Sequence, residues 1–349
     1  MRLAPERAEP VPGLEPPAPG TAVPVAEGVR WIRMPLPFAL NHVNLWLIED
    51  GPGWTLVDTG YGLPATLDHW DRLLADLEGP VTRILVTHGH PDHVGLAAWL
   101  QARTGAPIHM TLGEYFGAQF FWRGLERGWK EEALEHFRRH GLGEEALEAL
   151  RTSPDTYRAG VPDLPRTFER LVEGDSLGLG GRTWTVRVGH GHSPEHASFL
   201  CEAAGILISG DMVLPSITTN ISVSALAPGE DALARYLASL RRLRDLPEDL
   251  LVLPSHGRPF RGLQARLDAL EAHHAERLRL LEAACREPRS AADILKALFG
   301  RALDSHQMVF AMGEAIAHLN HLERQGRLRQ TLQEDGILRF QAAPGRSAP

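Results

Sequence analysis

The chain has 349 residues, of which 43% are apolar and 23% charged, and its formal net charge is −8. This composition is typical of a globular protein with room for one large domain and an appended one. No run of about 18 apolar residues occurs, which excludes a membrane-spanning helix, and the acidic balance argues against nucleic acid as the main partner.

Cys201 and Cys285 are the two cysteines. They are too few for a disulfide framework and favour a reducing compartment, so we expect a cytoplasmic protein. Neither has an obvious histidine partner, and a cysteine nucleophile is therefore not expected.

Residues 1–27 are rich in proline and lack the apolar core of a secretory signal, which predicts a flexible arm. Residues 28–262 then alternate strand and helix patterns, as in a layered α/β domain. The first predicted strands are Val29–Met34, Val43–Glu49, Trp54–Val57, Arg83–Val86 and Pro107–Met110, with helices at Leu63–Leu77 and Pro91–Thr104.

Residues 111–172 interrupt this alternation with helical patterns and many aromatic residues, which predicts a helical insertion. Its helices are predicted at Glu114–Gly124, Lys130–His140 and Glu144–Arg151. Strands return at Thr183–Val188, Ser198–Cys201, Ile206–Ser209 and Leu250–Leu253, with a helix at Asp231–Leu243.

The C-terminal part contains helical patterns at Leu263–Arg286, Ser290–Phe299 and Gln307–Gln325, then a hairpin at Arg327–Phe340. This order is typical of a winged helix, which we assign to residues 263–341, with 342–349 as a tail. Residues 261–349 hold 13 basic and 11 acidic residues, a weak electrostatic footprint for nucleic acid. We therefore expect this domain to act as a lid, to pack, or to form a homo-oligomer.

The main chemical motif is Thr87-His88-Gly89-His90-Pro91-Asp92-His93, directly after a predicted strand. Two histidines two positions apart in an extended loop can point to one side, and Asp92 and His93 begin the next helix. Imidazole with carboxylate suits Zn²⁺ and also iron or manganese.

Three further candidates each lie just past another predicted strand: His192, Asp211 and His256. Because sites in layered α/β folds gather at strand ends, we expect all of these side chains to meet in one metal centre. Their number is sufficient for two metal ions.

This series of residues resembles the metallo-β-lactamase superfamily of hydrolases, over residues 29 to about 260. Asp58, in Leu56-Val57-Asp58-Thr59-Gly60, matches the first motif of that superfamily. The resemblance implies an αββα sandwich of two mixed sheets. The pattern is similar to the glyoxalase II-like and lactonase-like branches, and to members with a C-terminal winged helix; the insertion at 111–172 departs from it.

The resemblance also implies a role for each residue. One metal would be held by His88, His90 and His192, the second by Asp92, His93 and His256, and Asp211 would bridge them. Asp58 would orient the histidine loop from behind the ligands. His196 is either another such supporting residue or an ordinary core residue. Asp92 and Asp211 would be catalytic, accepting the proton of the attacking water.

We therefore predict a dinuclear metal-dependent hydrolase that uses a metal-bound hydroxide on a small acyl ester, thioester or lactone. Its cofactors would be two divalent ions, Zn²⁺ first, with iron or manganese as alternatives. The rival hypotheses are a phosphodiesterase or ribonuclease of the same fold and a winged-helix nucleic-acid-binding regulator.

Two secondary predictions concern side chains outside the motif. His273 and His274 lie on a charged helix and are expected to face solvent. Phe116, Phe120 and Phe121 are expected to share one helix face, which would form either packed core or an apolar roof over the metals.

Overall fold

The computed structural model describes residues 8–124, 128–300 and 303–343. The start of the predicted arm, residues 1–7, and most of the predicted tail, residues 344–349, lie outside these described residues.

In the described part of the chain, the larger sheet has seven strands that lie side by side in chain order. The first four are antiparallel, and the remaining neighbours pair in parallel. They are β1 (Ala22–Ala26), β2 (Val29–Pro35), β3 (His42–Asp50), β4 (Gly53–Val57), β5 (Val81–Leu85), β6 (Ile108–Thr111) and β7 (Glu169–Leu171).

Helices connect the parallel strands of this sheet. Helix α1 (Pro64–Asp76) joins β4 to β5, and α2 (Pro91–Val94) and α3 (Ala97–Thr104) join β5 to β6. The single helix predicted over Pro91–Thr104 is thus two helices, separated at residues 95–96. Proline at the first position of α1 and of α2 is favoured because a proline there forfeits no intrahelical hydrogen bond.

The smaller sheet has the strand order β12-β11-β10-β9-β8 among the described residues, with β12 parallel to β11 and the other pairs antiparallel. Its strands are β8 (Ser176–Leu179), β9 (Arg182–Gly189), β10 (His196–Cys201), β11 (Ile206–Gly210) and β12 (Leu251–Pro254). Helix α8 (Ala232–Arg242) lies between β11 and β12 in the chain. The strands β7 and β8 lie where the sequence predicted none.

The apolar core of the described residues has three parts. One lies between the two sheets, and one lies on the outer face of each sheet. Trp31, Trp46 and Phe199 belong to the part between the two sheets. Trp70 of α1 belongs to the part on the outer face of the larger sheet, and Tyr236 of α8 to the part on the outer face of the smaller one. Helices therefore cover both outer faces, and the predicted αββα sandwich is confirmed.

The N-terminal segment differs from the predicted flexible arm wherever it is described. Ala22–Ala26 forms β1, which pairs with β2 at the edge of the larger sheet. Upstream, the Val11 amide donates to the Pro259 carbonyl at 3.0 Å. Proline content suggested an unpaired segment, but pairing with a strand edge satisfies its remaining backbone groups.

The insertion is helical, as predicted, between β6 and β7. Its helices in the described residues are α4 (Leu112–Gly124), α5 (Trp129–Arg139), α6 (Glu144–Thr152) and α7 (Thr156–Gly160). Leu134 and Phe137 of α5 join the core part on the outer face of the smaller sheet, so the insertion packs on the sandwich.

The C-terminal region follows the predicted element order. Its described elements are α9 (Leu263–Ala284), α10 (Ala291–Phe299), α11 (Ser305–Arg324) and the antiparallel pair β13 (Leu328–Leu332) and β14 (Leu338–Ala342). Leu267, Ile294 and Ile316 share one core with α8. The region is thus continuous with the sandwich, and its winged-helix character stays a prediction.

The prediction that His273 and His274 face solvent is wrong. Both are buried; His274 Nδ1 lies 3.2 Å from His318 Nε2, and Arg277 Nε donates to His273 Nε2 at 2.9 Å. The charged residues around them suggested a solvated face, but α11 covers this side of α9. Within the described residues, no helix combines the length and apolar character needed to cross a membrane.

Candidate metal centre

The seven predicted ligands come together where strands of both sheets end. His88 and His90 follow β5, and Asp92 and His93 lie in α2. The other three follow β9, β11 and β12 in turn, and are His192, Asp211 and His256. Side chains that are up to 168 positions apart in the sequence thus share one site, as the strand-end argument predicted.

The first group of ligand atoms is formed by three histidines. His88 Nε2 lies 2.8 Å from His90 Nδ1 and 3.2 Å from His192 Nε2. Asp211 Oδ2 lies 3.5 Å from His192 Nε2, so this carboxylate borders the group.

The second group is formed by Asp92, His93 and His256. Asp92 Oδ2 lies 3.6 Å from His93 Nε2 and 3.4 Å from His256 Nε2. Asp211 also borders this group, because its Oδ2 lies 3.7 Å from His93 Nε2 and its Oδ1 lies 3.5 Å from His256 Nε2. Asp211 is therefore adjacent to both groups, as expected of a bridging residue.

These distances fit divalent metal ions. Two ligands bound tetrahedrally at about 2.0–2.1 Å from one ion lie roughly 3.3–3.4 Å apart, close to most of the separations above. His93 Nε2 and Asp211 Oδ1 are also buried without a hydrogen-bond partner. A buried polar atom without a partner is costly, and a bound cation would satisfy both atoms.

The electrostatics of the centre favour cations on its carboxylate side. Burial alone would lower the pKa of His256, but the carboxylates of Asp211 and Asp92 outweigh it and raise that pKa to about 10. On the other side, burial and the ring of His192 lower the pKa of His90 to about 3. The centre thus attracts positive charge around its carboxylates and presents neutral imidazoles opposite, which are the ligand forms that metals bind.

Asp58 lies behind the histidine loop, in the place that the resemblance implied for it. Its Oδ1 accepts the Thr87 amide at 2.7 Å, and its Oδ2 lies 2.8 Å from His93 Nδ1. Asp58 has a φ of 62°. Among the described residues, it is the only non-glycine residue with a positive φ. Such a conformation is costly and is typical of functional sites.

Backbone carbonyl groups hold two further histidines, His192 and His256, at Nδ1. His192 Nδ1 lies 2.8 Å from the Asn220 carbonyl oxygen, and His256 Nδ1 lies 2.9 Å from the His42 carbonyl oxygen. A hydrogen bond at Nδ1 fixes the ring so that Nε2 faces the centre, which is the usual arrangement behind metal-ligating histidines.

His196 contacts the backbone of Asp211, which agrees with the supporting role, one of the two considered for it. Its Nε2 accepts the Asp211 amide at 3.1 Å, and it belongs to none of the ligand groups found in the described residues. Gly210, the residue before Asp211, has a φ of 54°. A Cβ atom at Gly210 would lie 2.4 Å from the His196 ring. His196 and Gly210 together fix the backbone of Asp211.

Sequence reasoning missed Glu114, a buried residue in the first turn of α4. Its Oε2 accepts the Gly89 amide at 2.8 Å, and its Oε1 accepts the Glu195 amide at 2.7 Å. One carboxylate therefore joins the loop of His88 to the loop of His192. The sequence gives little signal for this, because a glutamate in a first helical turn is ordinary.

A family model described as the metallo-β-lactamase superfamily matches residues 39–256, which is more than half of the chain. The chain belongs to the metallo-β-lactamase superfamily. A second model, described as the metallo-β-lactamase-like C-terminal domain, matches residues 278–343. The chain is therefore a metal-dependent hydrolase of this superfamily with the C-terminal domain of some of its members.

Several relatives resemble the chain over most of its length. A β-lactamase domain protein from Burkholderia ambifaria is 47% identical, covers 97% of this chain and 98% of its own, and has a TM-score of 0.90. A metallo-β-lactamase family protein from Thermus thermophilus is 30% identical, covers 91% and 100%, and has a TM-score of 0.78. The probable metallo-hydrolase YqjP of Bacillus subtilis is 25% identical over 85% of this chain and 92% of its own.

In this superfamily member the metal centre opens into a cavity of about 610 Å³. Asp92, His192, Asp211 and His256 line one part of it. Most of the remaining wall is apolar and comes from residues 36–40, the insertion, residues 214–225 and α11: Leu36, Phe38, Leu40, Phe121, Trp129, Leu134, Phe137, Leu214, Ile217, Val309 and Phe310.

Two alternatives were considered for the phenylalanines of α4, packed core or an apolar roof over the metals, and among the three only Phe121 has a position that agrees with the roof. Phe121 lines the cavity and packs edge-to-face with Phe120. Phe116 and Phe120 are not among the residues that line it, and they are 60% and 37% exposed. Trp129, which sequence analysis did not single out for this role, also lines the cavity.

Proposed function

We propose that the protein is a dinuclear metal-dependent hydrolase of acyl esters, thioesters or lactones whose acyl group is largely apolar. The observation that carries this proposal is that the seven His and Asp side chains lie together, and that five of them line one part of a mostly apolar cavity of about 610 Å³: His90, Asp92, His192, Asp211 and His256. Such a cavity is large enough to bury most of a small organic ligand.

Each residue has a role in this mechanism. His88, His90 and His192 would hold one divalent ion, Asp92, His93 and His256 a second, and Asp211 would contact both. When bound, the ions would supply a water that loses its proton near neutral pH and a Lewis acid that polarises the substrate oxygen. Zn²⁺ is the metal we propose first, because the donor set is imidazole and carboxylate.

The carboxylates supply the base. Asp92 and Asp211 both line the cavity, and their side chains are 20% and 9% exposed. Asp92 is the more accessible of the two, so its carboxylate is the acceptor we assign to the proton of the attacking water. Asp58, His196 and Glu114 act indirectly, by holding ligands and loops in place.

Relatives support an acyl substrate. The atrochrysone carboxyl ACP thioesterase of Aspergillus fumigatus is 24% identical over 66% of this chain. The matched region is 41% of that longer protein. A thioester carbonyl is attacked by the same type of nucleophile as an ester or lactone, so one site can serve all three.

The nucleic-acid hypotheses have less support. Helix α11, which corresponds to the helix predicted at Gln307–Gln325, contributes Val309, Phe310 and Gly313 to the cavity wall. The surface of α11 that lines the cavity would contact the substrate, so it would not be free to contact nucleic acid. The C-terminal domain is therefore proposed as a wall of the cavity and a packing module, with a small molecule as the partner.

The test is a substrate panel on the metal-loaded protein. The panel contains acyl thioesters, aryl esters, lactones, phosphodiesters and β-lactams, and metal content is measured on the same sample. We expect about two ions per chain and the highest kcat/KM on an acyl substrate. One ion per chain after loading with excess zinc or manganese would contradict the dinuclear assignment, and a preference for phosphodiesters would contradict the acyl assignment.

A further inference from the structure

One lysine lies on the wall of the cavity into which the metal centre opens. This residue is Lys130, at the second position of α5. Among the described residues that line the cavity, it is the only lysine, and no arginine lines it. The side chain is half-buried, and its Nζ donates to the Ser153 carbonyl at 2.8 Å. Trp129, Ala133 and Leu134 line the cavity beside it.

Lys130 has no carboxylate partner among the described residues, whereas two arginines of the same insertion each pair with two glutamates. Arg138 is paired with Glu135 and Glu144, and Arg151 with Glu131 and Glu148. Lys130 makes one hydrogen bond to a neutral carbonyl, although an ammonium has three donors. A charge that is partly withdrawn from water gains from an anionic partner, and the protein supplies none in the described structure.

The second lysine of the chain provides a contrast. Lys296 lies on α10 and is exposed. All other basic residues of the chain are arginines. An exposed lysine needs no partner, because water solvates its charge. The combination of partial burial, an apolar wall and a missing counter-ion is what distinguishes Lys130.

We propose that Lys130 binds a terminal carboxylate or phosphate of the substrate, at the end remote from the acyl carbon that is attacked. The substrates would then be apolar acyl compounds with an anionic end. This inference rests on the proposed acyl hydrolysis. An oxyanion at Lys130 would replace the missing counter-ion, while the apolar residues of the cavity wall would contact the chain of the substrate.

The first test compares two esters with the same reactive group and acyl length, p-nitrophenyl hexanoate and p-nitrophenyl hydrogen adipate. We expect Lys130→Gln to raise KM for the adipate ester about 10-fold or more and to leave KM for the hexanoate ester unchanged. Lys130→Arg should recover part of the loss, and Lys296→Gln should change neither ester. A phosphate-ended ester of equal length distinguishes the two anions.

Equal effects of Lys130→Gln on both esters, or no effect on either, would overturn the subsite. If the wild-type protein hydrolyses neither ester, the proposed ester activity fails, and a binding measurement still decides the role of Lys130. Hexanoate and hexanamide are titrated into the metal-loaded wild type and Lys130→Gln. We expect the variant to lose affinity for hexanoate alone; an equal affinity of both proteins for hexanoate would overturn the subsite independently of hydrolysis.

Discussion

Asp211 and Asp58 are two buried carboxylates with different positions relative to the centre. Asp211 contacts atoms of both ligand groups, whereas Asp58 contacts the Nδ1 edge of His93 and the Thr87 backbone. A residue that serves both groups should matter more than one that orients a single ligand. Replacing each of the two aspartates by alanine separates these roles.

We expect Asp211→Ala to remove binding at both metal positions and nearly all activity. Asp58→Ala should retain metal binding at reduced affinity, with a loss of roughly 10–100-fold, which is typical when a supporting partner of a ligand is removed. Metal content by elemental analysis and kcat/KM are measured on both variants. Equal losses would contradict the bridging position of Asp211.

Glu114 offers a second prediction for a single residue. Glu114→Ala leaves the Gly89 and Glu195 amides without their acceptor, so the two ligand loops lose their common anchor. We expect metal affinity to fall about 10–100-fold, by analogy with other residues behind ligands, with partial recovery in Glu114→Gln. Competition with a chelator measures this directly.

A buried glutamate elsewhere provides the control for Glu114. Glu314 is buried in α11, and no metal-ligand group of the described residues includes it. Glu314→Gln should change thermal stability without changing metal affinity. If both glutamate variants weaken metal binding equally, the effect of Glu114 is general destabilisation.

Among the helices of the insertion, α4 and α5 both contribute to the cavity, through Phe121 and Trp129. Phe116 lies on α4 as well, but it is 60% exposed and is not part of the described cavity wall. The same helix thus provides both a test residue and its matched control.

We expect Phe121→Ala to raise KM for apolar acyl substrates by roughly 10-fold, because it removes apolar contact worth about 1–3 kcal/mol. Phe116→Ala should leave KM unchanged, and metal content should be constant in both. Steady-state kinetics on acyl chains of increasing length measure the effect. A loss of melting temperature in Phe121→Ala with unchanged KM would instead assign that ring to the core.

A comparison of the predicted and the observed elements shows which features can be predicted from sequence patterns. The ligands were predictable because the motif is local and each remaining ligand directly follows an apolar strand. His273 and His274 were mispredicted because burial there depends on α11, which lies about 40 positions further along the chain. The position of Lys130 on the cavity wall was equally invisible, since it depends on how α5 packs against distant loops.

For the whole molecule, the main feature is the continuous core between the sandwich and the C-terminal helices. Leu267, Leu270 and Ile316 lie in the same cluster as Leu233 and Leu240 of α8. We expect deletion of residues 263–349 to expose this surface and yield aggregated or unfolded protein. Light scattering and circular dichroism measure this outcome. A soluble, folded truncation with bound metal would contradict the shared core.

The buried histidines of this region predict a pH dependence of stability. Burial and, to a lesser extent, the positive charge of Arg277 lower the pKa of His273 and of His318 to about 4. Glu314 and His321 also face this cluster. The unfolded state therefore binds more protons between about pH 6.5 and 4, so the free energy of unfolding falls as pH decreases, by up to about 1.4 kcal/mol per pH unit for each histidine.

Urea unfolding of the metal-free protein at pH 7 and pH 5 measures this dependence, with His318→Gln as the variant. The variant should be less stable at pH 7 but should lose less stability on acidification, because it has one buried histidine fewer. The same acid sensitivity in the variant and the wild type would show that His318 does not contribute to it.

The contribution of α11 to the cavity wall has a consequence for how this enzyme could diversify. The proposed metal ligands come from residues 88–256, whereas Val309 and Phe310 come from the C-terminal domain. Changes in α11 can therefore alter which molecules are accepted without disturbing the reacting centre. A chimera that exchanges α11 between two related enzymes should inherit the selectivity of the donor of that helix and the turnover chemistry of the recipient.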